Sequence, residues 1–440
     1  MTSTQQPLKS IMKQTKQTEQ STEPKKNPKE KSSASASASA SPYISNIQNK
    51  NAQLQFTMSG GPDVSVANAL RRTIIADLEV IVFKTAPYEE NKCTIYTNTS
   101  RFHNEFIKHR LSGIPIHINL YANSSSSSSS SGAGGEKNII PYQNLLLELN
   151  IENKSDTIIT ITTADFKIKD KLSNKYLTET ETRAIFPPST ISGDYFEFLR
   201  LCPKLGDELV GEKLHLTCEF SKEPIKKDGN YKTTCVELYF NTPDIAKQDI
   251  ELAKKIQTWR DDENNKKENI DLMVKNWKLL EGKRIFVPNS YEFIIESIGV
   301  YKNKEIIVMA CDVLLKKLVE LDAYIEKNEN NTNTNTNTAV NNGLTIEKSA
   351  TTMPNCMDIT LINEDYTLGN LIHSLLFAKF YKGIQIMTFC GVDKPHPHNT
   401  DIIIRVAYKE PVEREQVYQN IKECIREAVD MFEKIRIAFI

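Results

Sequence analysis

Four segments of this chain, near residues 64–78, 305–327, 366–380 and 411–437, carry apolar residues at helical spacing on faces wider than a small sheet can cover. The first has Val66, Leu70, Ile74 and Leu78, each four apart, behind Asp63 or Ser65 as a helix cap. The second includes Val308, Cys311, Leu315, Leu318 and Leu321. The third, capped by Asp365 or Thr367, has Leu368, Leu371, Ile372, Leu375 and Leu376, and the last has Val417, Ile421, Cys424, Ile425, Ala428 and Phe432. Such a stripe usually lines an ordinary core. Surplus width points instead to helices that pack on other helices.

Bulk properties narrow the function classes. At 440 residues the chain has room for two or three domains, each with its own core. Its 55 Lys plus Arg nearly balance 56 Asp plus Glu, which argues against a strongly basic nucleic-acid binder while leaving room for a local basic patch. No run approaches the roughly 20 apolar residues that a membrane span needs. The Lys- and Gln-rich start has no apolar signal segment, so neither a membrane partner nor a secretory leader is expected. The eight cysteines (Cys93, Cys202, Cys218, Cys235, Cys311, Cys356, Cys390 and Cys424) form no C-x-x-C, so a zinc or thioredoxin-like reading gains no support. Their apolar or strand-like surroundings suit reduced, mostly buried thiols.

Low-complexity stretches punctuate the chain. Residues 1–42 are rich in Gln, Lys, Ser, Thr and Pro and are expected to be a disordered tail. The serine run Ser124 to Ser131 reads as a flexible loop, and the Asn-Thr alternation from Asn328 to Asn342 as the linker at the main domain boundary. Between them, Leu145–Phe166, Leu214–Phe220, Cys235–Phe240 and Tyr291–Val300 are strand-like. Ser100 is placed to cap a helix carrying Phe102, Phe106, Ile107 and Leu111, closed by Gly113 and Pro115. Asp244–Leu280 reads as long, charged and helix-permissive, with Trp259 and Trp277 as its anchors. Near the C-terminus, Met357–Leu361 alternates with period two, and Gln385–Phe389 and Ile402–Ala407 read as two more strands. The order strand, helix, strand, strand, helix describes a small α+β layer.

Catalytic chemistry finds no foothold. There is no phosphate loop, no H-E-x-x-H and no G-x-S-x-G. His396 and His398 each follow a proline, and the two prolines hold the backbone extended; a metal there would need a third ligand such as Cys390 or Asp401. His103 and His109, six apart, fall on different sides of a helix. No catalytic residue, metal site or cofactor is therefore expected.

Two stretches resemble the signature segments of two RNA polymerase subunits that ordinarily pair as separate chains. Asp63–Glu79 (DVSVANALRRTIIADLE) is similar to the hallmark helix of the bacterial alpha, archaeal D and eukaryotic third-largest subunits. Asn98–Pro115 (NTSRFHNEFIKHRLSGIP) resembles the next block of the D-like branch, and residues 285–325 its closing strand and helix. Asn363–Asn370 (NEDYTLGN) and Gly391–Pro397 (GVDKPHP) look like the partner, archaeal L or the eukaryotic eleventh-largest subunit.

The resemblance implies an α+β fold with two related dimerisation domains, each a sheet covered by helices, that pair within one chain. It places a D-like domain at 43–119 plus 284–327, a mostly β inserted domain at 120–283, a linker at 328–352 and an L-like domain at 353–440. The implied role is non-catalytic: an assembly platform of a multisubunit DNA-directed RNA polymerase. Its partners would be the two largest subunits and other polymerase subunits, with DNA reached only through the complex and no homo-oligomer. Carried over residue by residue, Leu70, Ile74, Leu368, Leu371, Ile372, Ile421 and Ile425 would form the pairing layer. Asn68, Arg71, Arg72, His109 and Arg110 would seat a large subunit, and Gly369 would permit close approach of a backbone.

Some relatives carry a cysteine-rich metal loop in the insert. Residues 120–200 contain no cysteine, so no such site is implied here. The fusion resembles the joined subunit of large cytoplasmic DNA viruses, which implies host cytoplasm and virion; a cellular source would imply the nucleus. Two other classes stay open: a free-standing interaction protein that reuses the pairing fold, and an enzyme whose site lies within 120–284.

Overall fold

Apolar Leu54, Phe56 and Met58 alternate with Gln53, Gln55 and Thr57, the pattern of a half-buried strand, and in the computed structural model those three apolar side chains are buried. The structure describes residues 43–50, 52–118, 141–204, 210–261, 267–330 and 343–440. The expected tail at 1–42 and the serine run at 124–131 lie outside these residues, as does most of the Asn-Thr alternation.

The described residues open with β1 (Ile44–Lys50), β2 (Gln53–Met58), α1 (Val64–Ala76), β3 (Glu79–Phe83), β4 (Cys93–Asn98) and α2 (Asn104–Ser112). It continues through β5 (Leu145–Glu152), β6 (Ile159–Thr162), β7 (Lys167–Asp170), α3 (Glu179–Ile185), β8 (Glu197–Leu201), β9 (Lys213–Pro224) and β10 (Thr234–Pro243). Two helices, α4 (Ile245–Asp261) and α5 (Lys267–Leu279), lead into β11 (Phe286–Ser297) and the long α6 (Asn303–Asn330). The last part comprises β12 (Gly343–Lys348), β13 (Cys356–Ile362), α7 (Tyr366–Leu376), a π-helical turn at Phe377–Gly383, β14 (Met387–Asp393), β15 (Ile402–Tyr408) and α8 (Arg414–Ile437).

The protein is α+β. Two four-stranded antiparallel sheets have orders β1-β2-β11-β10 and β12-β13-β15-β14. Counted within its own half, each sheet has the same order: first, second, fourth, third. Each also has a helix after its second strand and another after its fourth: α1 and α6 in the first half, α7 and α8 in the second. One continuous core takes side chains from both sheets and all four helices. α6 packs along α8, and α1 along α7. Phe56 of β2 stacks on Phe293 of β11 and meets Phe439, just beyond α8, edge-on at 4.9 Å.

A second core is built on a sheet of order β3-β9-β5-β7, with β4 also paired to β9 and the β6–β8 pair beside it. β3 joins the two cores. Its alternation sends Val80 and Val82 into the first and Ile81 and Phe83 into the second. This differs from the boundaries expected above. Residues of β3, β4 and α2, placed in the first domain, pack with the insert because Ile81, Phe83, Cys93, Ile107 and Leu111 face β9 and β5. β10, placed in the insert, belongs to the first sheet through its ladder with β11.

Two further differences have local causes. The helix expected from Ser100 starts at Asn104, because Asn98 takes the Ser100 hydroxyl at 2.6 Å and donates to the Phe102 carbonyl at 2.8 Å, closing a turn first. Asp244–Leu280, read as helix-permissive, contains α4 and α5, with Trp277 buried and Trp259 half-buried. The span expected as linker holds the end of α6 and all of β12, whose Leu344 and Ile346 are buried when it pairs with β13.

Candidate pairing interface and docking surface

The two motif helices open in the same way. Asp63 caps α1 by accepting from the Ser65 N–H at 2.9 Å and the Val66 N–H at 3.3 Å. Asp365 caps α7 by accepting from the Thr367 N–H at 2.8 Å. Burial works against the charge on Asp365, but the Thr367 hydroxyl and N–H, together with the Lys317 and Arg72 charges, outweigh it and hold the carboxyl below the usual aspartate range. The helices then meet: the Ser65 and Ser374 hydroxyls lie 2.6 Å apart, joining the start of α1 to the last turn of α7.

All seven residues expected in the pairing layer lie in the shared core: Leu70 and Ile74 on α1, Leu368, Leu371 and Ile372 on α7, and Ile421 and Ile425 on α8. Burying a Leu or Ile side chain contributes about 1.5–3 kcal/mol. Gly369 lies among them, but what approaches it is a side chain rather than a backbone. A Cβ built there would stand 2.6 Å from Ile402 Cδ1. The glycine lets α7 settle onto β15.

Charge fixes the fit of these apolar faces. Lys317 on α6 places its ammonium 3.1 Å from Asp77, after α1, and 3.1 Å from Glu364, before α7. Its side chain is 24% exposed and the two carboxylates are 12% and 13% exposed. Burial opposes the Lys317 charge, yet the Glu364 and Asp77 carboxylates hold its pKa above the ordinary ammonium value. Burial pushes the Glu364 carboxyl upward, with Lys317 pulling against it. A second bond between elements runs from Arg436 Nε on α8 to Asp312 Oδ1 on α6 at 2.6 Å. The 47-residue separation of Lys317 and Glu364 left this network without a sequence signal.

The residues expected to seat a large subunit divide into two groups. On α1, Arg71 Nε and Nη2 donate to Asn68 Oδ1 at 3.3 and 3.0 Å, forming a half-buried polar patch. Arg72 is 43% exposed and points toward Asp365, 3.9 Å away, so it touches the second motif. His109 and Arg110 lie at the end of α2. The His109 ring is 3.4 Å from the Asn230 amide nitrogen. Arg110 Nε and Nη2 donate to the Phe198 and Glu197 carbonyls at 2.7 and 2.8 Å, so its guanidinium holds the backbone of β8.

His396 and His398 stack with ring centroids 5.1 Å apart, and the His398 N–H donates to His396 Nδ1 at 3.1 Å. Among the described residues no group of three or more His, Cys, Asp or Glu could hold a metal ion. No helix among them is long and apolar enough to cross a membrane.

Two sheets of one topology, joined through a shared layer of four helices, define a protein built around dimerisation domains. The chain belongs to the RNA polymerase Rpb3/Rpb11 dimerisation domain family, whose models match residues 56–318 and 356–437. Over 75 residues it is 32% identical to the DNA-directed RNA polymerase II subunit rpb11 of Dictyostelium discoideum, covering 17% of this chain and 58% of that protein. Over 183 residues it is 23% identical to a conjugation stage-specific protein of Tetrahymena thermophila, covering 42% of this chain and 54% of that one. The chain thus spans little more than half the length of these relatives.

Proposed function

We propose that this chain is a non-catalytic assembly platform of a multisubunit DNA-directed RNA polymerase, in which D-like and L-like halves pair within one polypeptide. The observation that carries the reading is the shared core, in which α1 and α6 of one family-matched region pack with α7 and α8 of the other. The likeness to the rpb11 relative supports the reading of the chain as a polymerase subunit. In this reading Leu70, Ile74, Leu368, Leu371, Ile372, Ile421 and Ile425 are the pairing layer, and the α1 patch of Asn68 and Arg71 with Arg72 beside it seats one of the two largest subunits. Joining the halves raises the effective concentration for pairing to the order of millimolar. The fused arrangement further suggests a large cytoplasmic DNA virus as source, acting in host cytoplasm and packaged in the virion.

The test is purification of the tagged chain from its native setting, with the co-purifying proteins identified. The two largest polymerase subunits are expected. Arg71→Ala with Arg72→Ala should leave the melting temperature unchanged and reduce their recovery. Recovery of the intact protein without any polymerase subunit would overturn the reading.

A further inference from the structure

Two thiols lie face to face in the second core. Cys93 opens β4, Cys218 lies in β9, and the antiparallel ladder sets them directly opposite each other. The Cys93 N–H donates to the Asn91 side-chain oxygen at 3.0 Å, and its carbonyl accepts from the Asn91 amide nitrogen at 2.9 Å. The neighbouring Glu219 N–H donates to the Lys92 carbonyl at 3.2 Å. Cys93 and Cys218 are therefore a non-hydrogen-bonded pair, the kind whose Cα atoms stand about 4.5 Å apart with side chains converging. A disulfide accepts Cα separations of roughly 4.4–6.8 Å. Both thiols are free and buried. The Cys218 S–H has two acceptors in reach, the Glu219 carbonyl at 3.6 Å and the Cys93 sulfur. That second hydrogen bond, helped by the nearby Lys108 charge, holds Cys93 below the usual thiol value against burial, while the same contact and burial push Cys218 up.

We propose that Cys93 and Cys218 are an oxidation site that closes to a disulfide, with a peroxide as the oxidant. The Cys93 thiolate sulfur attacks one peroxide oxygen. The O–O bond breaks, leaving a sulfenic acid and a hydroxide that takes up a proton. The Cys218 sulfur then attacks the Cys93 sulfur, the S–O bond breaks, and the hydroxyl departs as water with the Cys218 proton. Two thiols lose two electrons and one hydrogen peroxide becomes two waters. The new bond ties β4 to β9 in the core that buries Ile107 and Leu111 of α2, the helix that also carries His109 and Arg110. This site stands apart from the pairing interface, so its fate does not depend on the polymerase reading.

The experiment is a hydrogen peroxide titration of the full folded chain, followed by alkylation, digestion without reductant and mass mapping. The expected main product is a linked Cys93–Cys218 peptide lighter by two hydrogens, abolished by dithiothreitol and accompanied by a higher melting temperature. In Cys218→Ser the reaction should stop at a Cys93 sulfenic acid that dimedone traps. Half-buried Cys202 and exposed Cys235 are controls within the same chain. Oxidation of those two while Cys93 and Cys218 stay reduced, or a link that forms only in denaturant, would overturn the proposal. If Cys218→Ser does not fold, the map of the unaltered chain decides alone.

Discussion

Lys317 and Glu364 meet ammonium to carboxylate at 3.1 Å although they belong to opposite halves of the chain, one on α6 and the other ahead of α7. Removing the lysine leaves Glu364, largely buried, without its ion-pair partner, and among the described residues leaves Asp77 with only the exposed Lys226 at 3.8 Å. Lys317→Ala is expected to cost roughly 3 kcal/mol, the usual result of breaking a buried ion pair. Lys317→Met with Glu364→Gln should recover much of that loss. Urea unfolding midpoints measure both, and a single variant as stable as the parent would show that the network contributes nothing.

Gly369→Ala puts a methyl against Ile402, which is fully buried on β15 and has little room to yield. Overpacking of this kind costs about 1–3 kcal/mol. Adding Ile402→Val removes the Cδ1 atom that stands nearest and should restore part of the stability. Thermal melts of the two variants decide it; equal losses in both would mean that the glycine is needed for some other reason.

Asp358 on β13 is held by Arg405 on β15 through two bonds of 2.7 and 2.9 Å, with the Ser349 hydroxyl adding a third at 3.0 Å. The Arg405 hydrogen bonds, then Ser349, draw its carboxyl below the usual range against burial. A lowered folded value means that this stabilisation is complete above the unfolded aspartate value of about 3.9 and is lost as pH falls from there through the folded value. Asp358→Asn should therefore be less stable at neutral pH, by ~1.5–3 kcal/mol. Its stability should fall less steeply than the parent's below about pH 4. Parallel acid slopes in a pH series of denaturant melts would count against Asp358 as the group responsible.

A specific protease site placed between residues 331 and 342 should be cleavable with both fragments still travelling together. Because α6 packs on α8 and α1 on α7 within one core, a cut there removes no interfacial contact among the described residues. Gel filtration without denaturant checks this, and two separate peaks would contradict pairing within the chain.

Much of this architecture was legible where burial alone decides. The stripe of Leu70 and Ile74, the alternation of Met357 to Leu361 and the apolar face of α8 needed only a period of 3.6 or 2 to be placed. β1 escaped because an edge strand reading Ser45-Asn46-Ile47-Gln48-Asn49-Lys50 is exposed and has no alternation to find. β12 escaped because Leu344 and Ile346 stand beside an Asn-Thr tract, and only pairing with β13 gives them a core. The division between the two cores is not visible in the sequence because β3 serves both at once, and a run of Val80-Ile81-Val82-Phe83 does not announce which side chain goes where. At the candidate site the apolar residues showed themselves by spacing. The partners of Arg72, Arg110 and Lys317 did not, since an ion pair or a carbonyl contact between distant segments leaves no local pattern.

The edge-on contact between Phe56 and Phe439 has a consequence for synthesis. A strand made near the beginning of translation is finished by a ring made some 380 residues later. Until α8 has emerged from the ribosome, α6 and the first sheet keep a bare apolar side, so the nascent chain cannot complete its first half and move on to the second. Carrying two dimerisation domains in one reading frame thus supplies them in equal number, and it also leaves apolar surface of the growing polypeptide bare until the second half is made.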